Sequence, residues 1–159
     1  SSEGSGEKVV FDLAETARVG ARWVERGAKS GVTVAFTGED SLRVLGVPGH
    51  IQQIVMNLVQ NALDAVDGGA APEVRIDLAV LGGRARMTVS DNGPGIPDEQ
   101  RAAVFDPFFT TKPVGKGTGL GLSISAKIAD EHGGQLSLLP GPGAVFVLDL
   151  PLADTPGEA

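Results

Sequence analysis

The strongest constraint on this chain is the glycine content of one stretch, Asp91 to Leu122. It opens with Asp91-Asn92-Gly93-Pro94-Gly95-Ile96-Pro97 and closes with Gly115-Lys116-Gly117-Thr118-Gly119-Leu120-Gly121-Leu122. Between them runs Phe105-Asp106-Pro107-Phe108-Phe109-Thr110-Thr111-Lys112. Glycine reaches backbone angles that a Cβ forbids and lets the main chain pass close to a ligand. From Gly115 to Gly121 every other residue is glycine. Leu120, Ile124 and Ile128 then recur every fourth position, which predicts a helix from about Thr118 to His132, closed by Gly133-Gly134. A glycine turn that opens a helix aims free N–H groups and the positive dipole end at one point, which suits phosphate. A merely flexible loop is the other reading. The spacing excludes two standard phosphate loops: Gly121 is followed by Leu122 where a Walker loop needs Lys and then Ser or Thr, and the third glycine of a dinucleotide fingerprint is missing.

The 159 residues suit one domain with a real core. With no cysteine, neither a disulfide framework nor a cysteine zinc site can form, and two histidines make a poor metal cluster. A net charge of −7 opposes a grip on a nucleic-acid backbone. No apolar run approaches the length of a membrane span, so membrane contact by this domain is not expected. Residues 1–7 read as a linker or expression scar, 8–151 as the domain and 152–159 as a disordered tail.

Taken in order, Asp12 and Glu15 resemble a capping box at the start of a helix whose apolar face is Leu13, Ala17, Ala21, Val24 and Ala28. Val32, Val34 and Phe36 alternate as a strand, and Leu42 and Val44 suggest a short second one. A long helix, roughly Gly49 to Val66, carries Ile51, Ile54, Val55, Leu58, Val59, Ala62 and Val66 as its stripe. Asn57, Asn61 and Asp64 project within one narrow arc of it. A solvated face is the ordinary reading of such residues. Yet this helix has no Lys, Arg or Glu, and Asn and Asp are poor helix formers, which favours a functional role.

Val74, Ile76, Leu78 and Val80 alternate as a strand, Gly82-Gly83 turn, and Ala85, Met87 and Val89 alternate on the return. Asp91 keeps that parity, so its carboxylate points to the apolar side. It is either a turn aspartate or the acceptor for a ligand amine. Pro97 to Phe105 predicts a short helix. Phe105 to Lys116 lacks any period and reads as a loop with exposed aromatics, which usually dock on something. Leu136 to Leu139 and Ala144 to Leu150 are strands joined by Pro140-Gly141-Pro142-Gly143.

Four blocks now stand in order: Asn57-Leu58-Val59-Gln60-Asn61-Ala62, Asp91 to Ile96, Phe105 to Lys112, and Gly115 to Leu122. The set resembles the N, G1, F and G2 boxes of the catalytic ATP-binding domain of bacterial sensor histidine kinases, with Gly141 to Phe146 like the weaker G3 element. Asn-Ala-Leu-Asp-Ala and Phe-Asp-Pro-Phe-Phe-Thr-Thr-Lys resemble the nitrogen-regulation subgroup. The resemblance implies an α/β fold: a two-layer sandwich (the Bergerat ATP-binding fold) with a mixed, largely antiparallel sheet packed on about three helices. It implies ATP or ADP with Mg2+ as cofactors, with Asn61 on the metal and Asn57 a second polar position near the phosphates. Asp91 would accept the adenine amine, Gly93 and Gly95 would pass beside the base, and Ile96 would pack near it. Gly117, Thr118, Gly119, Leu120, Gly121 and Leu122 would meet the phosphates, and Thr110, Thr111, Lys112 and Lys116 would belong to a mobile lid, one lysine supplying a phosphate cation. Many members carry Lys and an aromatic just after the second asparagine. Asp64 and Ala65 stand there instead, so neither a phosphate lysine nor a ring over adenine is expected from this helix. Asp64 would act through a metal-bound water or the base pocket. The implied partners are a histidine-bearing dimerisation domain and a response regulator, for a domain that is cytoplasmic and monomeric alone. His50 and His132 lack the Glu or Asp that follows an acceptor histidine. The wider superfamily leaves three alternatives: an ATP-driven conformational machine, a nucleotide-binding pseudokinase, and a serine kinase of the anti-sigma-factor type.

Overall fold

A computed structural model describes residues 6–29, 31–109 and 121–153. In chain order the elements are β1 (Val9–Asp12), α1 (Leu13–Gly27), β2 (Ala35–Gly38), β3 (Arg43–Gly46), α2 (Pro48–Val66), β4 (Val74–Leu81), β5 (Arg84–Asp91), α3 (Asp98–Arg101), α4 (Gly121–Glu131), β6 (Gln135–Leu139) and β7 (Val145–Pro151). One sheet has the order β2-β4-β5-β7-β6, with β2 parallel to β4 and every other pair antiparallel. β1 and β3 form a separate antiparallel pair. The helices make the second layer: α2 packs on α1 and α4 and lies against β4 and β5, and α4 lies against β6 and β7. This is the expected two-layer α/β sandwich with a mixed, mostly antiparallel sheet.

The core follows from alternation. Ile76 pairs with Val89 and Leu78 with Met87, then Met87 with Leu148 and Val89 with Phe146. All six are buried in one core with the stripe of α2, in which every expected apolar residue is buried and Leu63 joins them. The β4–β5 turn needs left-handed backbone at two successive positions, and Gly82 and Gly83 have φ of 63° and 75°.

Several expectations are corrected. Asp12 caps α1 by accepting from Ala14 N at 3.0 Å, but the same oxygen takes Leu42 N at 2.9 Å while Glu15 lies exposed. The cap thus ties the helix start to the segment before β3 rather than closing a capping box. β1 was not predicted, because its four residues show no apolar alternation. The strand expected from Val32 begins only at Ala35, because Val34 N donates to Glu25 Oε2 at 2.6 Å instead of to a neighbouring strand. α3 spans four residues, not the whole of Pro97 to Phe105. Leu152 bridges Val44 and Ala153 N donates to Arg43 O at 3.0 Å, so these two residues of the supposed tail pair with β3. Of the expected Leu120–Ile124–Ile128 stripe on α4, Leu120 lies outside the described residues and only Ile128 is buried. Ile124 is 42% exposed, and Ser125, Ile128, Ala129 and His132 are buried. The small side chains of Ser125 and Ala129 are thus buried on a helix that packs against α2. Of the three phenylalanines, Phe105 and Phe109 pack on the core, Phe105 edge-on to Phe146 at 6.1 Å between ring centroids. Phe108 is exposed, with a φ of 70°.

Candidate functional site

α2 supplies one wall. Asn57 and Asn61 are half-buried on successive turns, Asp64 is exposed and bonded by Gln60 Nε2 at 3.0 Å, and Ala65 is half-buried at the helix end. α4 meets this wall at its first residue. A Cβ on Gly121 would lie 2.2 Å from Asn57 Oδ1, so a larger residue there would have to displace that amide. Asn57 Nδ2 donates to Ser125 Oγ at 3.4 Å. Leu122 is half-buried against the core.

Two turns on, the same helix meets the loop after β5. A Cβ on Gly93 would lie 2.6 Å from the carbonyl oxygen of Ala65. Asn57 and Ala65 are about 12 Å apart along the axis at 1.5 Å per residue. α2 therefore touches the first glycine box at one end and the start of α4 two turns away.

The loop itself is set by hydrogen bonds. Asp91 Oδ1 accepts from Gly93 N at 2.9 Å and from Ala144 N at 3.5 Å, while Asp91 N donates to Ala144 O at 3.0 Å. Asn92 accepts from Glu73 N at 2.8 Å and donates to Ala71 O at 2.7 Å, pinning the loop to the segment before β4. Gly95 has a φ of 78°, and a Cβ there would lie 2.6 Å from Pro142 O. A Cβ on Gly143 would lie 2.0 Å from Asp91 O. Ile96 packs on the core beside this loop. Burial raises the Asp91 carboxyl above its ordinary value, against the lowering effect of the Gly93 and Ala144 N–H groups. A carboxylate that is short of solvent and bonded on one oxygen is suited to accept from a ligand donor on the other.

The structure thus brings together Asn57 with Gly121, Ala65 with Gly93, and Asp91 with Gly93, Ala144 and Gly143. Thr110, Thr111, Lys112, Lys116, Gly117, Thr118, Gly119 and Leu120 lie outside the described residues, as do residues 110–116 of the lid expected between the glycine boxes and the expected helix start at Thr118. A cleft of about 510 Å³ lies beside Ala65 and Gly93, lined by residues 65–72 and 92–94. It includes neither Asn57, Asn61 nor Asp91, so the side chains and not this cleft locate the chemistry. Sequence reasoning missed Ser125 and the clamping of Asn92. The Ala144 contact was foreshadowed by the weak resemblance over Gly141 to Phe146, whereas nothing in the sequence singles out Ser125.

Among the described residues no group of three or more His, Cys, Asp or Glu could hold a metal, and no helix is long and apolar enough to cross a membrane. A metal held here would need its other ligands from phosphate and water.

Residues 46–154 match the family described as histidine kinase-, DNA gyrase B-, and HSP90-like ATPase. The two-component sensor PprA of Pseudomonas aeruginosa is 43% identical over 122 residues, which cover 73% of this chain and 13% of that protein. The sensor histidine kinase ZraS of Klebsiella oxytoca is 34% identical over 146 residues, covering 89% of this chain and 31% of that protein. The chain therefore spans less than a third of these relatives. Among solved structures, the catalytic domain of the histidine kinase ThkA superposes with a TM-score of 0.81 at 36% identity, covering 94% of this chain and all of that one. The mycobacterial sensor histidine kinase MprB superposes with a TM-score of 0.82 at 28% identity and the same 94% coverage of this chain. The resemblance carried by the four boxes is thereby confirmed in sequence and in three dimensions: the chain belongs to the histidine kinase-, DNA gyrase B- and HSP90-like ATPase family and is an ATP-binding catalytic domain of the sensor histidine kinase type.

Proposed function

We propose that this domain binds Mg-ATP and donates the γ-phosphoryl group to a histidine on a dimerisation domain elsewhere in its parent protein, from which it passes to a response regulator. The observation that carries this reading is the single helix, α2, meeting Gly93 through Ala65 at its C-terminal end and Gly121 through Asn57 two turns back, at its middle. An adenine nucleotide has its base and its phosphates at opposite ends, and this helix spans both.

In this reading Asp91 accepts the adenine amine, Gly93 and Gly95 keep the backbone flat beside the base, and Ile96 packs against it. Asn57 offers its amide to the phosphates. Asn61 fits a metal site because a half-buried amide oxygen one turn from Asn57 is a hard, neutral ligand of the kind that Mg2+ takes together with phosphate oxygens and water. Bound there, Mg2+ would supply charge neutralisation for the phosphates. The bond from γ-phosphorus to the bridging oxygen breaks, a bond from phosphorus to the acceptor imidazole nitrogen forms, and ADP leaves. Lys112 or Lys116 supplies a further cation.

The chain's own histidines are unsuited as acceptors. His132 is buried, its Nδ1 is 2.8 Å from Ile128 O and its Nε2 accepts from Val47 N at 3.0 Å. His50 packs edge-on against it. Position 57 also speaks against the ATPase alternative. In the gyrase and chaperone branches a glutamate one turn before the metal asparagine activates water, and an amide cannot take that proton. The domain alone should bind ATP and ADP with Mg2+ dependence, release phosphate negligibly and not label itself. Titration calorimetry and phosphate release, followed by label transfer to candidate dimerisation domains, test this. Rapid turnover by the isolated domain, or label on its own histidines, would overturn it.

A further inference from the structure

Ser125 is a buried polar side chain that neither the core nor the roles above use. It is 1% exposed on the face of α4 that packs against α2. A hydroxyl in such a place is costly unless it is bonded. Its partner is Asn57, whose Nδ2 donates to Ser125 Oγ at 3.4 Å. The other end of the same amide lies on Gly121, where a Cβ would be 2.2 Å from Oδ1 and 3.0 Å from Nδ2. A hydroxyl can accept or donate, so Ser125 holds the amide in place while the Gly121 contact selects which of the two ways it lies. As found, a donor meets the serine oxygen and the carbonyl oxygen rests against the Gly121 Cα–H groups, a weakly favourable contact. Turned over, the amide would press its N–H hydrogens against those same Cα–H groups.

We propose that Ser125 is a positioning residue that fixes the Asn57 amide before nucleotide arrives. This rests on the function proposed above. An amide nitrogen carries two hydrogens. Ser125 holds one, and the other is the donor that Asn57 presents to a phosphate oxygen. The carbonyl oxygen rests against Gly121. Because Ser125 and Gly121 both belong to α4, the helix that follows the second glycine box sets the orientation of the first asparagine of α2. The glycine at 121 leaves the room and sets the direction, and the serine at 125 holds the amide in place.

The test uses the 15N-labelled domain. The side-chain amide pair of Asn57 is assigned by its loss in Asn57→Ala. In the wild type one of its two hydrogens should exchange slowly with water. In Ser125→Ala that protection should fall about tenfold as the acceptor is removed, and Ser125→Cys, with a weaker acceptor of similar size, should fall between. Calorimetry with Mg-ATP should show about three- to tenfold weaker binding for Ser125→Ala, the scale of one net hydrogen bond. In an Asn57→Ala background Ser125→Ala should cause no further loss, because the two act as a unit. Unchanged amide protection in Ser125→Ala, or a loss that adds fully to that of Asn57→Ala, would overturn the proposal. Failure of the wild type to bind Mg-ATP would instead overturn the function proposed above, and the amide exchange would still decide the role of Ser125.

Discussion

Replacing Asp91 by asparagine should make this domain more stable and a worse nucleotide binder at once. Asparagine keeps Oδ1, so the bonds from Gly93 N at 2.9 Å and Ala144 N at 3.5 Å are preserved, and the side chain keeps its shape. The charge goes. Burial holds the Asp91 carboxyl above its ordinary value of 3.8, outweighing the two N–H groups that lower it. An acid raised in the folded state binds its proton more tightly there than in the unfolded chain. Ionising it therefore costs stability. That cost is absent below the ordinary value, grows as pH rises and is complete above the folded value. Asparagine never incurs it, so Asp91→Asn should melt higher than the wild type at pH 7, with the difference closing towards pH 3. Binding moves the other way. The asparagine Nδ2 would face the adenine amine, donor against donor, where a carboxylate oxygen had accepted. One lost buried bond is worth about 1–3 kcal/mol, or about 5- to 150-fold in Kd. Thermal melts across pH and calorimetry with ATP check the two halves separately. A variant that is less stable at pH 7 would refute the burial argument, and unchanged affinity would refute the adenine role.

Gly143→Ala should cost about 1–3 kcal/mol in chemical denaturation, because its Cβ would fall 2.0 Å from the backbone oxygen of Asp91 and β5 must move. Gly121→Ala meets a side chain instead, at 2.2 Å from Asn57 Oδ1, so it should keep its melting temperature while weakening Mg-ATP binding severalfold in calorimetry. His132 is held below its ordinary 6.5 chiefly by burial, with Lys8 and His50 adding and Ile128 O and Glu131 opposing. Its contribution is therefore present above pH 6.5 and lost as pH falls through the lower folded value, and His132→Gln, which does not titrate, should flatten the melting temperature between pH 7.5 and 5.

The parts of the fold that were legible in advance are those where one face of an element is buried and the period is simple. α2 buries every residue of its predicted stripe, and the β4–β5 hairpin follows from alternation around two glycines. What was not legible depends on partners distant in sequence. β1 exists because β3 pairs with it, and β2 starts late because a glutamate on α1 takes the Val34 N–H. α4 shows the limit of periodicity. Ile124 and Ser125 are adjacent, so a shift of one position decides which is buried. Apolarity favoured Ile124, and close approach to α2 together with a bond to Asn57 favoured Ser125.

The site divides in the same way. The order of the boxes named the candidate residues. How they touch was not, because glycines have no side chain to pattern and their neighbours lie on other elements. Gly93 is fitted to Ala65, Gly95 to Pro142, Gly121 to Asn57 and Gly143 to Asp91. Each contact is a place where a Cβ would have been too much, and each joins two segments far apart in the chain. Asp91 had two readings, a turn aspartate or a ligand acceptor. A carboxylate has two oxygens, and the structure gives Oδ1 to the turn through Gly93 and Ala144. The structural role therefore does not compete with the chemical one. It fixes the side chain, and burial makes its charge costly until a donor arrives, which leaves Oδ2 for the acceptor role proposed above and is why the asparagine variant would separate the two.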